Sequence, residues 1–269
     1  MNAQKPVVTG WRCAACGTRV AISDVFSWRC PNSSDADRHH VLEIENAIAP
    51  LRSNGDSNPF IGFQRYLAWD AFAATLGLEF DSRTKIIRDL DDAVAKVAGT
   101  GFRTSPFLRN DALSDALGFA KQGGIWIKDE THNVAGSQKA RHLFTQLLHL
   151  IAVENVGRAP WRNQSERPQL AIASCGNAAI AASTLARAVD WPIQVFVPEH
   201  ADAPTLKILS ALNANVVRCA RLATDPPGDP CVFRFREAIE QGCVPFGVQG
   251  PENAWCLDGG RTIGFEMAV

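Results

Sequence analysis

Over most of its length the chain reads as short apolar runs alternating with amphipathic stretches. From residue 170 onward the pattern is regular. Apolar runs fall at 170–173, 193–197, 215–219 and 244–248, and helical patterns fill the gaps at 177–189, 203–212 and 229–241. Strands alternating with helices across short loops predict βαβ units, hence a parallel sheet with helices on its faces. Upstream, residues 83–97 set Ile86, Ile87, Leu90, Val94 and Val97 on one face at spacings of three and four, and Gly99-Thr100-Gly101 ends that helix. A weaker amphipathic pattern predicts a helix over 64–76. Residues 124–128 predict a short strand and 129–136 a loop. A long helix then starts near Ser137, with Leu143, Phe144, Leu147, Leu148 and Ile151 apolar. The polar stretches 50–59 and 154–168 each contain two prolines and predict loops.

The first 45 residues differ. They show no helical period and carry Cys13-Ala-Ala-Cys16-Gly17, then Cys30-Pro31, then His39-His40. A Cys-x-x-Cys-Gly knuckle lets backbone N–H groups face thiolates, and zinc asks for four such ligands. Cys30 opens a second pair, but Ser33 stands where its partner would be. The candidate metal set is therefore Cys13, Cys16, Cys30 and His39, with His40 the alternative fourth ligand, against a decayed knuckle with free thiols.

Composition narrows the classes of function. At 269 residues there is length for one large or two small domains, and 46% hydrophobic against 20% charged residues describes a folded chain. Lys and Arg number 27 against 28 Asp and Glu, so no electrostatic motive exists for binding nucleic acid or an anionic membrane. No run approaches the ~20 apolar residues of a membrane span, and no signal-like apolar run opens the chain. Five of the eight cysteines lie scattered in apolar context, which fits a reducing, cytoplasmic setting.

Two stretches could carry chemistry. In Lys128-Asp-Glu-Thr-His-Asn-Val-Ala-Gly-Ser-Gln-Lys139-Ala-Arg141 a lysine lies just inside a helix start, after a Gly-Ser turn. The positive end of the helix dipole disfavours an ammonium there, and a neutral amine is what Schiff-base chemistry needs. A solvated first-turn lysine is the plain alternative. In Ala173-Ser174-Cys175-Gly176-Asn177 a strand ends and a helix begins. Free backbone N–H groups at such a turn hold a carboxylate or phosphate, at the strand end where open α/β sheets bind ligands. Here the plain alternative is an ordinary Asn cap.

Taken together, these stretches resemble the fold-type II pyridoxal-phosphate enzymes, and within them threonine synthase and its threonine dehydratase-like relatives. The family's Lys-x-Glu, two residues, Asn-Pro-Thr-Gly-Ser-Phe-Lys-Asp-Arg pattern is met at Lys128, Glu130, Asn133, Gly136, Ser137, Lys139 and Arg141. It is departed from at Val134, Ala135, Gln138 and Ala140. Its Ser-x-Gly-Asn loop is met at Ser174–Asn177. Asn58-Pro59-Phe60 with Arg65-Tyr66, Ser105-Pro106-Phe107, Lys207-Ile208 with 214–217, and 259–266 are similar to further family segments, in order, the last being a helix start with the helix opened by Thr262. The resemblance covers residues 55–269. It implies a parallel-sheet α/β fold with flanking helices over 46–269, holding a small αβ subdomain at about 155–250. Residues 1–45 would form a zinc-ribbon-like segment, which is common in threonine synthase relatives.

The resemblance also implies roles. Lys139 would hold pyridoxal 5′-phosphate as a Schiff base and then move the substrate α-proton. Asn177 would donate to the cofactor's 3′-oxygen, and Ser174, Cys175, Gly176 and Asn177 would hold the carboxylate of an amino-acid substrate. Ser137 would orient the Lys139 turn or simply cap its helix. Homodimers are common in that family. The expected activity is β/γ-elimination or replacement of the threonine synthase type, with a serine/threonine dehydratase-like enzyme as the alternative. The family's Gly-rich phosphate loop and the residue beside the pyridine nitrogen find no match before Val269. The expectation is therefore a truncated copy lacking the second half of the large domain, with an open apolar face near Ile125, and a non-catalytic remnant is a further alternative.

Overall fold

The computed structural model of the chain describes residues 5–269. It opens with an antiparallel three-stranded sheet, in the order β2-β1-β3, of β1 (Val8–Cys13), β2 (Arg19–Ala21) and β3 (Leu42–Asn46). Three helices follow: the single turn α1 (Pro59–Gly62), α2 (Ala68–Thr75) and α3 (Phe80–Ala98). An antiparallel ribbon of β4 (Phe107–Arg109) and β5 (Trp126–Lys128) encloses the short α4 (Asp111–Ala116). The long α5 (Lys139–Asn155) leads into alternating β6 (Leu170–Ala173), α6 (Asn177–Ala188), β7 (Ile193–Pro198), α7 (Ala203–Ala211), β8 (Asn215–Cys219), α8 (Pro230–Glu240) and β9 (Val244–Pro245). The chain closes with α9 (Cys256–Ala268). The second sheet is fully parallel, in the order β8-β7-β6-β9, as the strand–helix alternation requires.

The local reasons are ordinary ones. Asp202 and Asp229 cap α7 and α8 through the amides of Thr205 and Cys231, each ahead of a proline in the first turn. α3 turns Ile87, Leu90 and Val94 inward and stops at Gly99, whose φ of 77° a side chain would strain. Arg83 on that buried face is neutralised by Asp70, which is itself fully buried, at 2.7 Å.

Two elements depart from the expectation. The helix predicted over 64–76 is broken: Gln64–Tyr66 is a 3₁₀ turn, Leu67 is extended, and α2 begins afresh at Ala68. The cause lies 190 residues away. The buried Asp258 carboxylate accepts from Ala68 N at 2.7 Å and Trp69 N at 3.0 Å, capping a helix start where the local sequence offers no cap. Likewise, the last helix starts at Cys256 rather than at Thr262, with Gly259 and Gly260 inside it. α9 lies so close on α5 that a Cβ on Gly259 would fall 1.8 Å from the Arg141 carbonyl oxygen, and one on Gly260 would fall 2.2 Å from the His142 ring. The expected open face is present at the ribbon, where Leu108 is 67%, Trp126 51% and Ile127 43% exposed.

One apolar core unites the first sheet with the helices: Trp11, Leu42, Phe72, Leu147, Ile172 and Trp255 all belong to it. At its centre, fully buried His149 of α5 lies 4.1 Å, ring to ring, from Trp255 and 4.4 Å from Phe72. Trp28 closes the cage at 5.5 Å and Phe26 at 6.4 Å. Burial pushes the His149 imidazole down to about 3, offset only in part by the neighbouring Val25 backbone.

Two consequences are measurable. The folded chain keeps His149 neutral, whereas the unfolded chain protonates it near 6.5. Stability is therefore full above that pH and falls as pH drops toward 3, by about 1.4 kcal/mol per unit. Denaturant titrations at several pH values should show this slope, and His149→Phe should remove it while leaving other acid-sensitive groups in place. Gly259→Ala forces a backbone clash that no rotamer relieves. It should lower stability by about 3 kcal/mol or more, at or above the usual overpacking range, read as a fall in the thermal midpoint.

Candidate active site and metal centre

Lys139 is the first residue of α5 and is partly buried. The turn before it is shaped by the buried Asn133, whose side-chain oxygen accepts from Val134 N at 3.0 Å and whose amide donates to Arg103 O at 2.9 Å. Ala135 and Gly136 then adopt left-handed φ of 55° and 63°. That conformation comes easily to Gly136 and is uncommon for Ala135. Next comes Ser137, 5% exposed, whose hydroxyl is buried with no hydrogen-bond partner among the described residues. It does not cap α5; Gln138 occupies the cap position and makes no side-chain cap bond. An orphaned buried hydroxyl two residues from an amine is an unfilled polar contact, of the sort a bound ligand satisfies.

Around Lys139, His142 lies one turn along α5 and Cys256 opens α9. The His142 Nδ1 lies 2.8 Å from the Cys256 carbonyl oxygen, and burial lowers its proton affinity. Burial pushes the Cys256 thiol up to about 12, which makes it an unreactive packing group.

The turn 134–136 packs against α6. At the start of that helix Ser174 N donates to Phe196 O at 3.1 Å, and Gly176 takes the cap position with no side-chain cap bond. Asn177 is thus the first helical residue and not a cap; its exposed amide has no partner among the described residues. The first bond into α6 is Ile180 N to Gly176 O, so among the described residues the N–H groups of Asn177, Ala178 and Ala179 are the free donors of the helix start. A Cβ on Gly176 would meet nothing within 4 Å, so the approach is open. Cys175 is exposed beside it. A cavity of about 390 Å³ lies elsewhere, between 50–54 and 61–66, and touches neither Lys139 nor Asn177.

Sequence reasoning matched Lys128, Glu130, Arg141 and Glu266 to a pattern but assigned them no role. They form one buried polar network. Arg141, 0% exposed, makes a bidentate pair with Glu130 at 2.7 and 2.8 Å and reaches Thr262 Oγ1 at 3.0 Å and the Glu266 carboxylate. The other Glu266 oxygen takes Ser105 N at 3.0 Å and the Lys128 ammonium.

At the front of the chain, Cys13, Cys16, Cys30 and His40 bring their ligand atoms within 4.8 Å of one another. Here the structure corrects the expected set: His40 joins the thiols and His39 does not. His39 is exposed and, among the described residues, only its backbone N–H is engaged, with Asp37 at 3.2 Å. His40 Nδ1 lies 3.5 Å from Cys13 Sγ, and its Nε2 lies 3.3 Å from Asp37 Oδ2. A carboxylate on the far ring nitrogen is the usual way a ligating histidine is oriented. Cys16 Sγ and Cys30 Sγ are 3.7 Å apart, matching the roughly 3.8 Å edge of a tetrahedron with 2.3 Å Zn–S arms. Hydrogen bonds from the Thr18 side chain and backbone and from Asn32 hold the Cys16 thiol down to about 5, whereas burial raises Cys30 to about 11.

The structure thus presents a parallel α/β sheet, a partly buried lysine at one helix start and free donors at another. Residues 98–269 match the family described as "Pyridoxal-phosphate dependent enzyme", and the chain belongs to it. A comparison with curated proteins found no match. Among solved structures the chain is similar to threonine deaminase isoform 2 from Solanum lycopersicum, at 20% identity and TM-score 0.45, over 71% of this chain and 48% of that one. It is similar to diaminopropionate ammonia lyase from Escherichia coli at 19% and 0.49, over 70% and 52%. Serine racemase from Dictyostelium discoideum gives 21% and 0.46, over 67% and 52%. The chain therefore spans about half the length of the solved structures it matches. No helix among the described residues is long and apolar enough to cross a membrane.

Proposed function

We propose that the chain carries the lysine-bearing part of a pyridoxal-phosphate lyase that eliminates or replaces a β or γ substituent of an amino acid. The observation that carries this is the 133–141 turn, which presents a partly buried Lys139 beside the orphaned Ser137 hydroxyl and packs against α6 with its free donors. In this reading Lys139 would hold the cofactor through its aldehyde and would move the α-proton, and Ser137 would supply the neighbouring hydrogen bond. Asn177 would donate to the cofactor ring oxygen, and the free amides at the start of α6 would bind the substrate carboxylate, whereas the Ser174 N–H expected to share that task is taken by Phe196 O. The bound cofactor contributes an electron sink for the carbanion, leaving the protein to bind, orient and transfer the proton.

The four-ligand cluster of Cys13, Cys16, Cys30 and His40 supports a single tetrahedral zinc. Its presence favours a threonine synthase-like enzyme over a serine/threonine dehydratase-like one. A reducing, cytoplasmic setting and a homodimer fit the same reading.

Borohydride reduction of the chain with pyridoxal phosphate, followed by peptide mapping, should place the adduct on Lys139, and Lys139→Ala should abolish it. Failure of the unaltered chain to form any adduct supports a non-catalytic remnant instead. Metal analysis after dialysis should give close to one zinc per chain. His40→Ala should lose most of it and His39→Ala almost none; equal retention by both variants removes the zinc assignment.

A further inference from the structure

Arg141 sits in the first turn of α5, two residues after Lys139, where the helix dipole disfavours a cation. It is nonetheless fully buried, and each of its nitrogens is engaged. Nε bonds Glu130; Nη1 bonds Thr262 and Glu266; Nη2 bonds Glu130 and the Arg103 carbonyl, at 3.2 Å. The five N–H groups of a guanidinium are thus accounted for within the protein.

The bidentate pair with Glu130 has a geometric consequence. Glu130 stands at one end of the 130–141 segment and Arg141 at the other, so the pair closes that segment into a loop. Ala135, Gly136, Ser137 and Lys139 all lie inside it. Glu130 is tied down again by the Ser105 hydroxyl and by Asn133 Nδ2 at 3.4 Å. The left-handed Ala135, which costs backbone energy on its own, is held within this closed segment. Glu266, by contrast, joins Arg141 to α9 and β5 without closing the lysine loop.

We infer that the Arg141–Glu130 pair is the positioning contact that aims Lys139 and Ser137 at the cofactor aldehyde, and that the Glu266 arm serves only to dock α9. The inference rests on the reading of Lys139 as the cofactor-bearing lysine. Arg141→Lys keeps the charge but loses the planar fork; Glu130→Gln removes its charged partner; Glu266→Gln leaves the fork intact.

The test uses the full chain without added cofactor. Reductive methylation by formaldehyde and cyanoborohydride is followed at Lys139 by mass spectrometry, with exposed Lys121 as internal standard. Loosening the loop should expose the amine. Lys139 labelling relative to Lys121 should therefore rise severalfold in Arg141→Lys and Glu130→Gln and stay at the unaltered level in Glu266→Gln, with far-UV circular dichroism unchanged. Should Glu130→Gln not fold, Glu130→Asp, which keeps the charge and shortens the reach, takes its place with the same expected direction. In parallel, the borohydride-trapped pyridoxal-phosphate adduct should fall about tenfold or more in the two fork variants, since a loosened amine is no longer oriented. Unchanged Lys139 labelling in Arg141→Lys, or an equal rise in Glu266→Gln, overturns the inference. Failure of the unaltered chain to form the adduct overturns the functional reading instead, and leaves the methylation comparison standing.

Discussion

A buried guanidinium cannot remain unpaired, and most of the architecture around Lys139 follows from how Arg141 is satisfied. Its partners come from three separate segments: Arg103 and Ser105 ahead of β4, Glu130 after β5, and Thr262 and Glu266 on α9. Removing one partner from such a buried pair typically costs about 3–5 kcal/mol, because a charge is left without water or counter-charge. The network therefore fixes the relative placement of these segments more sharply than apolar contact alone would. The α9 helix can reach it because Gly259 and Gly260 let the helix lie against the α5 backbone, where any side chain would collide.

The front sheet is joined to the same structure by a second set of contacts. Trp28, between Cys16 and the remaining knuckle residues, lends its ring to the His149 cage and its carbonyl to Ala254 N at 2.8 Å. Arg38, two residues before His40, shares the Glu252 carboxylate with Arg236 of α8. Both attachments fall on the segment that leads into α9. The knuckle thus sits against the chain just ahead of the helix that supplies Glu266. The β4–β5 ribbon lacks such cover: Leu108 and Ile127 are paired on one face, Trp126 leans on Phe107 on the other, and three of these four are substantially exposed.

Where signals were local, the sequence was readable to within a residue or two. The strands at 170, 193 and 215, the helices between them, and the start of α5 near Ser137 all rest on periodicity, proline placement and Asp caps within a few residues. The Lys139 turn and the 174–177 loop were legible for the same reason, since each is a short contiguous motif. The break at Leu67 was not, because the cap of α2 is a carboxylate 190 residues away. Nor was the choice of His40 over His39. Adjacent histidines look alike in a chain, and only the course of the 31–40 loop turns one ring toward the thiols.

The sequence by itself determined the class of fold and the local course of the Lys139 turn and the 174–177 loop, because alternation, capping and turn preferences act over a few neighbouring residues. Only tertiary structure decided that Arg141 closes the lysine loop, that Asp258 starts a distant helix, that paired glycines are contact surfaces inside a helix and not its beginning, and that His149 is an uncharged ring in an aromatic cage. Each depends on atoms from remote segments excluding water together, and that exclusion is a property of the packed chain that no local window contains.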